Sequence, residues 1–172
     1  MYRTLMRDAF DRLAPVVQRF HNLRGQHVLL GEVTIDGPEN SSARILAAML
    51  GAPTESKTGA LRFELIAEPD QEVWTRHFPG KTMCSTLRKG DGVVIETLGV
   101  ATLRFELVEQ DGTLTMKLAR MSAFGIPLPG FLMPSISAVE TGVADRFNFD
   151  VQAHMPLVGL VARYRGFLIV PS

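Results

Sequence analysis

From Gly59 onward, apolar and polar residues alternate with a period of two, and this pattern limits the possible folds more than any other feature of the chain. Leu61, Phe63 and Leu65 alternate with Arg62 and Glu64; Leu103, Phe105 and Leu107 alternate with Arg104 and Glu106. Val94, Glu96 and Leu98 interleave with Val93, Ile95 and Thr97, and Leu114, Met116 and Leu118 with Thr115 and Lys117. Phe147, Phe149 and Val151 do the same against Arg146, Asn148 and Asp150. Successive strand side chains point to opposite faces, so each run reads as a strand with one face in a core and the other in water. Glu68-Pro69-Asp70, Phe78-Pro79-Gly80, Gly90-Asp91-Gly92 and Asp111-Gly112 supply the turns, Asp-Gly being a strong hairpin signal. Connections this short cannot hold crossover helices, so the sheet is expected to be mostly antiparallel, with about seven strands after the early helices.

The first sixty residues read differently. Leu5, Met6, Ala9, Phe10, Leu13, Val16, Val17 and Phe20 recur at spacings of three and four, the helical period. Pro15 predicts a break near Leu13-Ala14, giving a helix of about three turns, then a short second one, packed as a cover on the sheet. Gln26 to Ile35 reads as a strand. Ser41-Ser42 ahead of a run of helix formers, with Gly51 and Pro53 behind, predicts a short helix capped by serine. At the other end of the chain, Leu157 to Val170 is apolar on its even positions and mixed on its odd ones, as expected of a long strand in the middle of the sheet or closing a barrel. The expectation is one α+β domain over residues 1–172. A helical segment at 2–20 and one short helix pack on a strongly curved, mostly antiparallel sheet or partly closed β-barrel spanning 26–170.

Composition excludes several function classes. Eighteen Lys and Arg balance eighteen Asp and Glu, and no basic-aromatic interleaving suggests nucleic acid. The single Cys84 and four scattered histidines lack ligand spacing, so no metal and no cofactor are expected. No phosphate-binding glycine loop or hydrolase motif is present. The charged N-terminus lacks the apolar core of an export signal, and with a lone thiol the cytoplasm is the expected compartment.

Three segments stand above this background. Trp74, Arg76 and Phe78 share one strand face, so a buried Arg76 needs a carboxylate, with Glu96 or Glu140 as the candidates, or else meets a ligand anion. Residues 125–134 hold three prolines among Ile126, Leu128, Phe131, Leu132 and Met133, an apolar loop suited to covering a cavity, docking a partner or touching a membrane. In the third, Tyr164 shares a face with Gly166, which marks a bulge or a close approach, while Arg163 and Arg165 face the other way toward Glu106, Glu140 or Asp150.

Taken together, Trp74-x-Arg76-x-Phe78, Ile126-Pro127-Leu128-Pro129, Pro134, Glu140, Arg146-x-Asn148-Phe149-Asp150-Val151, Pro156-Leu157-x-Gly159 and Tyr164-Arg165-Gly166-Phe167-Leu168 resemble a bacterial family known only as a domain of unknown function. The resemblance covers about residues 20–170. Members of that family look like stand-alone proteins or C-terminal appendages to saccharopine-dehydrogenase-like or short-chain-reductase-like domains, which implies a reductase-like partner by analogy and transfers no catalytic residue.

The leading expectation is therefore a non-catalytic binding domain. A small hydrophobic or lipid-like ligand would sit in a sheet-enclosed cavity above ~300 Å³. Trp74, Arg76, Phe78, Glu96, Glu140, Tyr164 and Arg165 are its candidate contacts, and the 126–133 loop borders the entrance. The rivals are an interaction module, docking a reductase or a second copy through that loop, and an enzyme whose acid-base groups come from Glu96, Glu140, His77 and His154.

Overall fold

The structure, a computed structural model, describes residues 1–171. The chain opens with helix α1 (Tyr2–Met6), a 3-10 turn (Arg7–Arg12) and helix α2 (Pro15–Asn22). The break falls where Pro15 required it: Leu13 is extended, and Pro15 occupies the first turn of α2, where its missing N–H costs nothing. A further interruption at Arg7, whose φ is 53°, shortens the first helix to just over one turn.

Strands β1 (Gly25–Asp36), β2 (Lys57–Ala67), β3 (Gln71–Phe78), β4 (Lys81–Lys89), β5 (Val94–Leu98), β6 (Ala101–Gln110) and β7 (Thr113–Ala123) follow as a meander. Helix α3 (Ser41–Met49) interrupts it between β1 and β2. After a two-residue strand β8 (Ile126–Pro127) and a 3-10 turn (Gly130–Leu132) come β9 (Ser135–Val143), β10 (Arg146–Met155) and β11 (Gly159–Ile169). Every pairing is antiparallel. β8 is a flap on β7; the other ten strands pair around a complete ring, β7 meeting both β6 and β9, and β11 meeting β1. The barrel is thus fully closed, with more strands than the alternation revealed. Closure leaves no unpaired edge among the ten.

Local chemistry explains the turns and the closure. Asp111 and Gly112, at φ 51° and 79°, form the two-residue hairpin between β6 and β7. Gly166 and Gly31 face inward on the two strands of the closing seam. A side chain at Gly166 would overlap the Glu32 carbonyl, and one at Gly31 the Phe167 carbonyl. Glycine lets these strands bend closely enough to shut the ring. The cap of α3 differs from expectation: Asn40, not serine, accepts the Ala43 N–H at 2.9 Å.

The strands run between two unlike ends. The base carries the turns at 68–70, 90–93, 111–112 and 144–145. The mouth carries α3 with its flanking loops, the turns at 79–80, 99–100 and 156–158, and the 124–134 loop. The N-terminal segment plugs the base instead of covering the sheet from outside. Ala14 donates to the Gly112 carbonyl at 2.8 Å and Arg19 to that of Ala144 at 3.1 Å. Phe20 enters the lumen and stacks on Phe147 with ring centroids 4.1 Å apart. Tyr2, Phe10, Val17 and Phe20 are almost wholly buried, a sequestration worth roughly 1.5–3 kcal/mol for each large side chain.

Candidate functional site

Above the Phe20 plug, the lumen keeps a cavity of about 110 Å³. It is walled by aromatic and aliphatic groups from many strands, among them Phe63, Phe78, Phe105, Phe149 and Met83, and Leu50 and Ala52 after α3 reach it from the mouth. This is well below the ~300 Å³ expected of a lipid-like site. The reason is steric: inward-facing aromatic rings from the strands, with Phe20 entering from the base, fill most of the lumen. An extended acyl chain does not fit, whereas an apolar cavity of ~150 Å³ is known to accept a benzene ring.

Four polar groups interrupt the apolar wall. Arg76 is on β3, on the buried face with Trp74 and Phe78 as the alternation requires. Its guanidinium carbon lies 5.0 Å from the Trp74 ring centroid and 5.9 Å from that of Phe63. One guanidinium nitrogen donates to Ser85 Oγ at 3.1 Å; another stands 3.8 Å from Glu96 Oε1, close enough for charge pairing and too long for a hydrogen bond. Glu96, on β5, is therefore the ion-pair partner, as one of the two sequence alternatives held. A guanidinium carries five N–H donors, and the Ser85 bond is the one side-chain hydrogen bond it makes among the described residues.

Tyr164, on β11, lines the same cavity. Its ring packs edge-on to Phe78 at 5.1 Å, and its hydroxyl has no hydrogen-bond partner among the described residues. Burial pushes its ionisation upward; Arg76 pulls against this while Glu96 and Glu140 add to it, so all three charges act across one lumen. The hydroxyl stays protonated, able both to donate and to accept.

Glu140, the other carboxylate, also borders the cavity, but His21 of α2 occupies it, Nε2 lying 2.6 Å from Oε2. No local pattern signals this pair, since the partners are 119 residues apart. Beside them Trp74 Nε1 donates to Glu72 at 2.9 Å, and the Tyr2 ring packs on the His21 ring at 3.7 Å. Burial holds the Glu72 carboxyl above the usual range, against the pull of His21 and the Trp74 bond. His21 Nδ1 is buried without a partner among the described residues. Tyr2, His21, Glu72 and Ser85 are the interior polar residues missed by sequence reasoning. The one signal for Glu72 was its shared strand parity with Trp74 and Arg76.

No curated protein matches this chain, but a family model matches residues 13–168. The chain belongs to the family described as Domain of unknown function (DUF4166). Among solved structures it is similar to the crystal structure of Rv2717c from M. tuberculosis. That match has a TM-score of 0.50 at 11% identity and covers 93% of this chain and 99% of that one. Identity this low speaks for the barrel alone.

In this DUF4166 chain the remaining expected contacts lie elsewhere. Arg165 is on the outer face of β11, paired with Asp36 at 2.6 Å, and does not reach the cavity; odd positions of that strand from Arg163 on point away from the lumen. Arg163 likewise pairs outside with Asp150 at 2.7 Å. His77 bonds Glu64 and Thr82 on the outer surface, and His154 is exposed, so neither histidine joins Glu96 and Glu140 in a common cleft. The 126–133 loop stands at the mouth without lining the cavity. Leu128 and Met133 pack on the core, while Ile126, Phe131 and Leu132 face outward. Among the described residues no group of three or more His, Cys, Asp or Glu is placed to hold a metal, and no helix is long and apolar enough to cross a membrane.

Proposed function

We propose that this barrel binds a small, largely apolar ligand in its lumen without transforming it. One observation carries the reading: an aromatic-walled cavity holds an arginine with unused donors and a tyrosine hydroxyl without a partner among the described residues. Interior polar groups are normally satisfied, and a ligand would satisfy these two. The apolar wall provides affinity by burial, and Arg76, Glu96 and Tyr164 set orientation. The restricted volume favours a ligand the size of one aromatic ring over a lipid. Ligand-detected NMR with benzene is the direct test: saturation transfer from the native protein, lost in Ala138→Phe, which fills the lumen, supports the reading. No transfer to benzene, together with no small molecule released on denaturation in native mass spectrometry, overturns it.

A second reading has its own observation. Ile45, Met49, Phe124, Ile126, Phe131 and Leu157 are all exposed, and all belong to mouth segments. Leu157 is fully exposed and held at φ 65°, a conformation costly for leucine. Residues 45–54, 97–103, 121–139 and 151–162 contain no Asp, Glu, Lys or Arg. These uncharged apolar stretches are complementary to themselves, so the occupant this reading commits to is the mouth of a second copy in a two-fold dimer. Light scattering after size exclusion decides it: a dimer that Phe131→Glu converts to monomer supports the interface, and a monomer at high concentration removes it.

A further inference from the structure

The charge balance of the lumen narrows the ligand class, an inference that rests on the binding reading above. Arg76 and Glu96 face one cavity 3.8 Å apart and are both largely buried. Their formal charges cancel. An anionic ligand drawn to Arg76 would also meet the Glu96 carboxylate, with Glu140 bordering the same lumen. A cationic ligand would meet the guanidinium. In a poorly screened interior neither repulsion is diluted by water. A ligand anion at Arg76 is thus opposed by the carboxylate that balances the charge of the arginine.

What remains unused is hydrogen-bonding capacity of both kinds. Arg76 has spare donors, the Glu96 carboxylate accepts no side-chain hydrogen bond among the described residues, and the Tyr164 hydroxyl does either. The rest of the wall is aromatic faces and edges, to which a flat ring packs well. The volume of about 110 Å³ limits the ligand to about one ring. We propose that the cavity selects a small uncharged aromatic molecule bearing one group that both donates and accepts a hydrogen bond, the chemistry of a phenol.

The test compares three probes of one ring each on the purified native chain at pH 7: benzene, phenol and benzoate, by calorimetry or chemical-shift titration. Phenol is expected to bind at least tenfold more tightly than benzene and at least tenfold more tightly than benzoate. Two near-isosteric variants report on the mechanism. Tyr164→Phe is expected to bring phenol toward the affinity of benzene. Glu96→Gln, which removes the opposing charge, is expected to raise benzoate affinity severalfold relative to benzene. Benzene and phenol binding equally would overturn the phenol inference and leave luminal binding standing. So would benzoate binding as tightly as phenol, or an E96Q variant indifferent to benzoate. If none of the three binds, this inference falls, and if denaturation also releases no small molecule the luminal reading falls with it.

Discussion

The two ends of the barrel are built on opposite principles. At the base, the chain folds its first 23 residues into the opening, and the hairpin turns carry Glu68, Asp70, Asp91, Asp111 and Asp145. At the mouth, the 124–134 loop and the 156–158 turn carry no charge, and their large apolar side chains point out. The base thus invests in burial and polar pairing, while the mouth leaves apolar surface exposed. The difference teaches that burial is distributed unevenly along the barrel axis: substitutions at the base should cost folding, and those on the exposed mouth should leave it nearly unchanged.

The largest expected effect tests the plug. Phe20→Ala removes a ring that touches Phe147, Trp74 and Phe63, and should lower stability by about 3–5 kcal/mol in urea unfolding. A loss below about 1 kcal/mol would mean that the plug is an ornament of the barrel and not part of its core. Next comes the buried pair. His21→Leu leaves the Glu140 carboxylate buried beside an apolar group and should cost about 3 kcal/mol, whereas the double variant with Glu140→Leu should recover much of that loss. Equal losses in the single and double variants would show that His21 acts by packing alone.

A smaller effect depends on pH. Glu72 binds its proton more tightly in the folded state, because burial disfavours the carboxylate. Such a group adds stability that is complete below its ordinary value of 4.5 and lost as the pH rises through the higher folded value. Glu72→Gln keeps an acceptor for Trp74 Nε1 and does not titrate, so its Tm relative to wild type should rise between pH 4 and pH 7. A constant difference across that range would assign Glu72 no part in the pH response. At the mouth, Phe131→Ser should change unfolding stability by less than about 0.5 kcal/mol, since the ring is 76% exposed. A loss approaching that of Phe20→Ala would erase the contrast between the ends.

Sequence reasoning was strongest where a rule of parity or steric exclusion applied. Period-two alternation placed β2, β5, β6, β7 and β10, and put Arg76 inside among aromatics, because strand geometry ties side-chain direction to residue number. It undercounted the barrel because β4 and β9, with Cys84, Ser85, Ser137 and Gly142 among their residues, carry weak hydropathy contrast. The site was half legible. Arg76, Glu96 and Tyr164 were found by strand face and by the need to pair a buried charge, but Arg165 was misplaced by treating the two faces of β11 as one site.

What the sequence determined by itself was local and periodic: the break before Pro15, the Asp111-Gly112 hairpin, the inward set of each strand and family membership. What only the tertiary structure decided was every relation across the lumen. These include the meeting of β1 with β11, the entry of Phe20 and His21 into the base, the Arg76–Glu96 pairing and the volume left between the aromatic walls. The physical reason is that local conformation follows from steric and hydrogen-bonding preferences of adjacent residues, while ring closure, charge pairing and residual space depend on how ten strands from the whole chain come to share one interior.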